Sequence, residues 1–159
     1  MQVEKLDAID LQILEVLQAQ GRTKRNELAD TVKLSIPAVS ERLRKLEDRG
    51  IIRSFNAVLE ARKVGLEVTA FIFVMAESST FYAEIIKRAA AQEEILECHA
   101  ITGEGSHILK ARTRSTATLE KLLSQIQSWP GVKNTRTSIV LSSPKETTVL
   151  SLAHLKTAS

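Results

Sequence analysis

The segment from Leu34 to Glu47 most narrows what this chain can fold into. Ser35 offers a hydroxyl that can accept a bare N–H at a helix start. Pro37 follows in the first turn, where its missing N–H costs nothing. Ile36, Val39, Leu43 and Leu46 then recur at helical spacing on one side. Pro37, Ser40, Glu41, Arg44 and Lys45 occupy the other. Arg49 and Gly50 close the helix. The product is a short capped helix, apolar inside and small, polar and basic outside. Such a face suits the major groove of double-stranded DNA.

Two shorter helical patterns precede it. Asp7 can cap a first helix, with Asp10 as its acidic partner near the positive end. Ile9, Ile13, Leu14 and Leu17 form its apolar stripe, and Gly21 is expected to end it. Thr23 is expected to cap the second helix, with Asn26 and Glu27 in the first turn and Leu28, Ala29 and Val32 inside. Lys33-Leu34 is then a tight turn. Two short helices joined this way, with a bracing helix before them, make a helix-turn-helix over residues 1–50. A three-helix bundle that binds protein shares the pattern; the outer face of the third helix favours DNA.

Charge agrees in its distribution more than in its sum, which is only +3. Arg22, Lys24 and Arg25 gather before the second helix and suit backbone phosphates. On the third helix the residues expected at the DNA are Ser35, Pro37, Ala38, Ser40, Glu41, Arg42, Arg44 and Lys45. Arg44 can reach guanine O6 and N7, or a phosphate. Ser40 can bond a base edge or a phosphate, and the N–H groups at the Ser35 end favour a phosphate. Glu41 either accepts from cytosine N4 or braces a neighbouring arginine.

After Gly50 the period changes. Ile51, Ile52, Phe55, Ala57, Val58 and Leu59 read as an extended, β-like segment. With the charged stretch around Gly65 they make a strand and hinge over residues 51–66. Residues 67–159 then follow the order β-α-β-β-α-β, a ferredoxin-like split arrangement. Val68 to Ala76 is the first strand. A helix carrying Phe81, Ile85, Ile86 and Ala89 follows, capped by Ser79 or Thr80. Strands Ile95 to Thr102 and His107 to Thr113 flank the loop Gly103-Glu104-Gly105-Ser106. A helix from Thr116 or Thr118 carries Leu119, Leu122, Leu123 and Ile126. Trp129-Pro130-Gly131 turns into a strand from Val132 to Leu141, and Thr147 to Leu152 reads as one more edge strand. The whole is an α+β chain. The helix-free face of its sheet, with Phe71, Phe73 and Met75, invites a partner subunit, so at least a homodimer is expected.

Other classes find little support. No apolar run approaches the ~20 residues of a membrane helix. Glu4, Asp7 and Asp10 do not suit a secretory signal. Cys98 is the only cysteine. These features fit a cytoplasmic protein. His99, His107 and His154 lack metal-ligand spacing, and no serine nucleophile has an evident histidine and carboxylate. The loop at Gly103 opens no helix, so it is not a dinucleotide fingerprint. Cys98 reads as a small core residue and His107, at the mouth of the glycine loop, as a binding or surface residue. No cofactor and no enzymatic activity are expected.

By these residues the chain resembles the Lrp/AsnC, or feast/famine, transcription regulators over nearly its whole length. The likeness rests on Leu6-Asp7, Asp10, Ile13-Leu14, Gly21-Arg22, Glu27-Leu28-Ala29, Leu34-Ser35, Val39, Arg42, Leu46-Glu47 and Gly50-Ile51-Ile52. In the second half it rests on Cys98-His99, Thr102-Gly103, Pro130-Gly131-Val132 and Thr135-Arg136-Thr137. The resemblance implies a winged helix-turn-helix joined to an effector-binding RAM domain. It implies dimers formed through the RAM sheets, assembly commonly to octamers, and an amino acid held between dimers. Carried over, that effector loop is Gly103, Glu104, Gly105, Ser106 and His107, with Thr137 in the wall. Leucine-responsive members often carry Gly-Asp-x-Asp-Tyr here; this chain has Glu104, Ser106 and His107 at the matching acidic and aromatic positions. A siroheme decarboxylase-type enzyme on the same fold is the alternative, against which the basic third helix argues.

Overall fold

The computed structural model describes residues 5–156; Glu4 of the acidic N-terminal stretch, and residues 157–159 at the end of the expected second domain, lie outside them. The chain divides into two compact units, one of Met1–Val58 with Glu146–Ser159 and one of Leu59–Lys145.

The first unit is built on α1 (Ala8–Ala19), α2 (Arg25–Val32) and α3 (Ile36–Asp48). Asp7 and Asp10 cap α1 reciprocally: Asp10 N–H donates to Asp7 at 2.8 Å, and Asp7 N–H to Asp10 at 3.3 Å. Thr23 does not cap α2. Its hydroxyl turns back to the Gln20 carbonyl at 2.7 Å, and the side chain of Glu27 instead takes the Lys24 N–H at 3.2 Å. Lys33 makes the turn between α2 and α3 in the left-handed region, at φ 57°. Ile13, Leu28, Val39 and Leu46 form the sealed centre of the unit. Ile36, expected on the inner stripe, is 49% exposed. It lies in the terminal turn, and Leu34 packs on the cluster beside that turn.

Two expected strands of this region are absent. No ladder forms over residues 51–60 among the described residues. Instead Gly50, at φ 69°, reverses the chain, and the N–H groups of Ile51 and Ile52 donate to the Leu46 carbonyl at 2.9 and 3.1 Å. The edge strand expected at Thr147 to Leu152 is also missing, and the segment belongs to the first unit rather than the second. The reason is a long-range polar contact. The Gln18 amide donates to the Leu150 carbonyl at 3.1 Å and accepts the Leu150 N–H at 2.7 Å, as a strand partner would. Leu152 packs on the same core, and Lys156 of a short helix, Ala153–Lys156, pairs with Glu15 of α1 at 2.7 Å.

The second unit holds β1 (Val68–Ala76), α4 (Tyr82–Ala90), β2 (Ile95–Ala100), β3 (His107–Thr113), α5 (Thr116–Gln127) and β4 (Val132–Ile139). The sheet order is β2-β3-β1-β4, with antiparallel neighbours throughout. Alternation along β1 sends Ala70, Ile72 and Val74 into a core with Ile85, Leu109, Leu122 and Ile126. Phe71, Phe73 and Met75 project from the other face. Ser115, rather than Thr116 or Thr118, caps α5, and Thr118 returns the bond to the Ser115 N–H at 2.9 Å. Gly131 is fixed by space as well as angle: at φ 79°, a Cβ there would lie 2.0 Å from Cγ of Phe81.

Candidate nucleic-acid interface and effector loop

The outer face of α3 is a charged network. Glu41 receives both Nε (3.1 Å) and Nη2 (2.8 Å) of Arg44, a two-point fork. Nη1 of Arg44 reaches Asp48 at 2.5 Å, and Lys45 lies 3.6 Å from Glu41. The hydrogen bond from Arg44 holds the Glu41 carboxyl below its usual range, and the same bond raises the Arg44 guanidinium further. Of the two readings open for Glu41, this fork is the brace. Pro37 is exposed beside this network, and Ala38 and Ser40 are half-buried. The Ser35 hydroxyl accepts the Ala38 N–H at 3.4 Å. Arg22, Lys24 and Arg25 are exposed around the start of α2.

Arg42 departs from the expected set. It turns toward α1, where Nη1 bonds Asp7 and Asp10 at 2.7 Å each, and its side chain is 29% exposed. Burial disfavours ionisation of Asp7, but the Asp10 N–H and the Arg42 guanidinium outweigh it and lower its pKa. Arg42 thus clamps the start of α1 to α3.

In the second unit the expected effector residues divide between two faces of the sheet. Gly103 and Gly105 adopt φ 98° and 122°. Ser106 is pinned inward: its N–H and its hydroxyl both donate to the Val74 carbonyl, at 2.8 and 3.1 Å. Two loop N–H groups are thereby already taken, since Gly105 donates to Gly103 at 3.1 Å. His107 is not at the surface; its exposure is 0%. Its Nδ1 lies 2.9 Å from the Ser106 hydroxyl, and the Tyr82 ring stands edge-on with centroids 4.9 Å apart. Because that hydroxyl donates to Val74, the network assigns the proton to His107 Nδ1 and leaves Nε2 a bare acceptor. Nε2 is sealed, with no partner among the described residues. Burial pushes the imidazole pKa down.

Glu104 goes the other way. It forms an ion pair with Arg136, whose guanidinium lies over the Phe73 ring at 4.8 Å. Arg136 stands opposite Phe73, whereas Thr137 stands opposite Ile72 on the helix-covered side. No local pattern in the sequence pairs Arg136 with Glu104, because that pairing depends on the β1–β4 register.

Residues 69–150 match the Lrp/AsnC ligand binding domain, and residues 6–53 match a winged helix-turn-helix DNA-binding family. The chain belongs to the Lrp/AsnC family. It is 36% identical over 145 residues to the HTH-type transcriptional regulator FL11 of Pyrococcus abyssi, covering 91% of this chain and 95% of that one. It is 35% identical over 150 residues to the leucine-responsive regulatory protein of Haemophilus influenzae, covering 92% and 90%. Among solved structures, the regulator NMB0573 of Neisseria meningitidis, in its L-Met complex, superposes with a TM-score of 0.88 at 36% identity, covering 95% and 99%. AsnC of E. coli gives 0.86 at 28% identity, covering 92% and 99%. This Lrp/AsnC protein is a DNA-binding transcriptional regulator, and these relatives do not favour the decarboxylase alternative. Among the described residues, no group of three or more His, Cys, Asp and Glu side chains is placed to hold a metal, and no helix is long and apolar enough to cross a membrane.

Proposed function

We propose that this Lrp/AsnC regulator acts as a homo-oligomer that reads double-stranded DNA with α3 and is tuned by a small metabolite with an amino-acid backbone. Paired α3 helices enter successive major grooves about one helical turn apart. Arg44 and Ser40 address base edges, with Pro37 and Ala38 against the groove wall. Arg22, Lys24, Arg25 and Lys45 address phosphates. The observation that carries this reading is the outer face of α3, small near its start, with Arg44 and Lys45 presented further along. Its setting is the cytoplasm, and it needs no cofactor beyond the effector.

The uncovered sheet face supports the oligomer. Phe71, Phe73 and Ile108 are only half-buried there and Met75 is exposed. A second copy covering them removes apolar surface from water. Stacking of dimers to an octamer extends the same reading. The L-Met complex of the Neisseria meningitidis relative supports an amino acid as effector, and the seat proposed for it is the glycine loop at residues 103–107.

Selection of bound fragments from a random duplex library tests the DNA role, repeated with each of the twenty L-amino acids present. An enriched pseudo-palindrome is expected, with its affinity changed by at least one amino acid. Binding that shows no enrichment sinks the base-reading role; enrichment unmoved by every amino acid sinks the effector role. Phe73→Glu should convert the assembly to monomers in sedimentation velocity, and an unchanged sedimentation coefficient would refute pairing through this face.

A further inference from the structure

Glu41 is an acid on a helix face that must approach a polyanion. A negative charge there opposes every duplex alike, unless it serves a contact that only some duplexes offer. Its geometry shows which contact. A guanidinium has five N–H donors. Glu41 takes one from Nε at 3.1 Å and one from Nη2 at 2.8 Å, the side edge of Arg44. The terminal edge, formed by Nη1 and Nη2, is the edge that matches guanine O6 and N7 in the major groove. Asp48 holds Nη1 at 2.5 Å and is the partner a base must displace. Glu41 has no need to leave. Its two oxygens already face Arg44, and Lys45 lies 3.6 Å from one of them, so a cytosine amino group is left only the outer lone pairs of a carboxylate already aligned to the arginine.

We propose that Glu41 is a specificity-determining positioning residue that presents Arg44 to one guanine and penalises duplexes lacking it. This rests on α3 being the base-reading helix. Glu41 acts in two ways. It fixes the rotamer of a long side chain before binding, so less freedom is lost when the guanine is met. It also keeps Arg44 from serving as a general phosphate contact, since a phosphate on the terminal edge meets the repulsion of the nearby carboxylate and a neutral guanine does not. Discrimination comes from weakening the wrong complexes as well as from strengthening the right one.

A double-mutant cycle separates the roles. Full-length wild type, Glu41→Ala, Arg44→Ala and the double variant are each titrated with the duplex selected by wild type and with a scrambled duplex, across a salt series. Circular dichroism confirms that each remains helical. Glu41→Ala is expected to bind the scrambled duplex several-fold more tightly, with a salt slope steeper by about 1 as Arg44 turns to a phosphate. Its ratio of selected to scrambled affinity should fall about tenfold. Arg44→Ala should lose a similar ratio, and adding Glu41→Ala to it should lose no more. Three outcomes overturn the proposal. An unchanged ratio in Glu41→Ala makes the acid a solvated bystander. A further loss in the Arg44→Ala background makes Glu41 a base reader in its own right. A wild type with no preferred duplex removes the base-reading helix itself, and with it any discrimination for Glu41 to supply.

Discussion

On the outer face of α3, Arg44 stands open to water and is held by Glu41 and Asp48, residues three before and four after it. At the foot of the glycine loop, His107 is sealed from water, satisfied at Nδ1 and unsatisfied at Nε2. The first arrangement can be remade at little expense, because water stands in for either partner. The second cannot, because no solvent reaches it. A binding face benefits from partners that exchange, whereas the foot of a loop benefits from one that does not.

The largest break of this contrast is His107→Ala. Removing a fully buried ring should destabilise the second unit by about 2–4 kcal/mol. The single tryptophan, Trp129, lies in that unit's core, so its fluorescence in a urea titration reports the loss. Arg44→Ala, by contrast, should leave the same transition unmoved. A similar midpoint for both variants would erase the distinction.

The next effect depends on pH. Burial depresses the folded pKa of His107, so below the ordinary histidine range the unfolded chain binds a proton that the folded chain refuses. Stability from this group is full above the unfolded pKa and falls as pH drops toward the folded one. The slope approaches at most about 1.4 kcal/mol per pH unit in that window. Asp7, Glu41 and Glu97 have lowered pKa values, so their contributions fade only in the more acidic carboxylate range. His107→Phe keeps an aromatic ring without a titrating group. It should flatten the dependence between about pH 7 and 5.5 and leave the acid limb in place. Identical profiles for wild type and His107→Phe would show that the burial is not felt.

A smaller effect concerns the other arginine of α3. Arg42 is half-buried and ties Asp7 and Asp10 to α3. Arg42→Ala should lower stability of the first unit by about 1 kcal/mol, read by helical circular dichroism. Two positions along the same helix thus separate a brace from the proposed DNA contact. Equal stability losses in Arg42→Ala and Arg44→Ala would undo that separation.

What the sequence displayed and what it hid divides along the same line, between local and distant causes. The Ser35 cap, the Asp7–Asp10 box and the Val39–Leu43–Leu46 stripe are set by residues within a few positions of each other, and all were legible. So was the strand and helix order of the second unit, because alternation along β1 and periodicity along α5 are local patterns. The failures are nonlocal. Thr147 to Leu152 looked like a strand, and became a segment pinned by Gln18 from far along the chain. His107 looked like a loop-mouth residue, and register with Val74 carried it into the core. Arg42 looks like a third cation beside Arg44 and Lys45, and acids capping another helix hold it instead.

Lys33 tests the smallest part of the picture. It links α2 to α3, and it is the one non-glycine among the described residues with positive φ. A lysine there crowds its Cβ against the backbone, at roughly 1–2 kcal/mol. Glycine relieves that crowding but loosens the unfolded chain, which takes back part of the gain. Lys33→Gly should therefore stabilise the first unit by about 0.5 kcal/mol. The same change removes a cation beside the start of α3, so nonspecific DNA affinity should fall slightly as stability rises. Opposite signs in the two measurements would show that this turn serves the electrostatics of the DNA-facing surface at the expense of backbone comfort. A loss of stability would mean instead that the lysine side chain contributes more to the fold than its strained φ takes away.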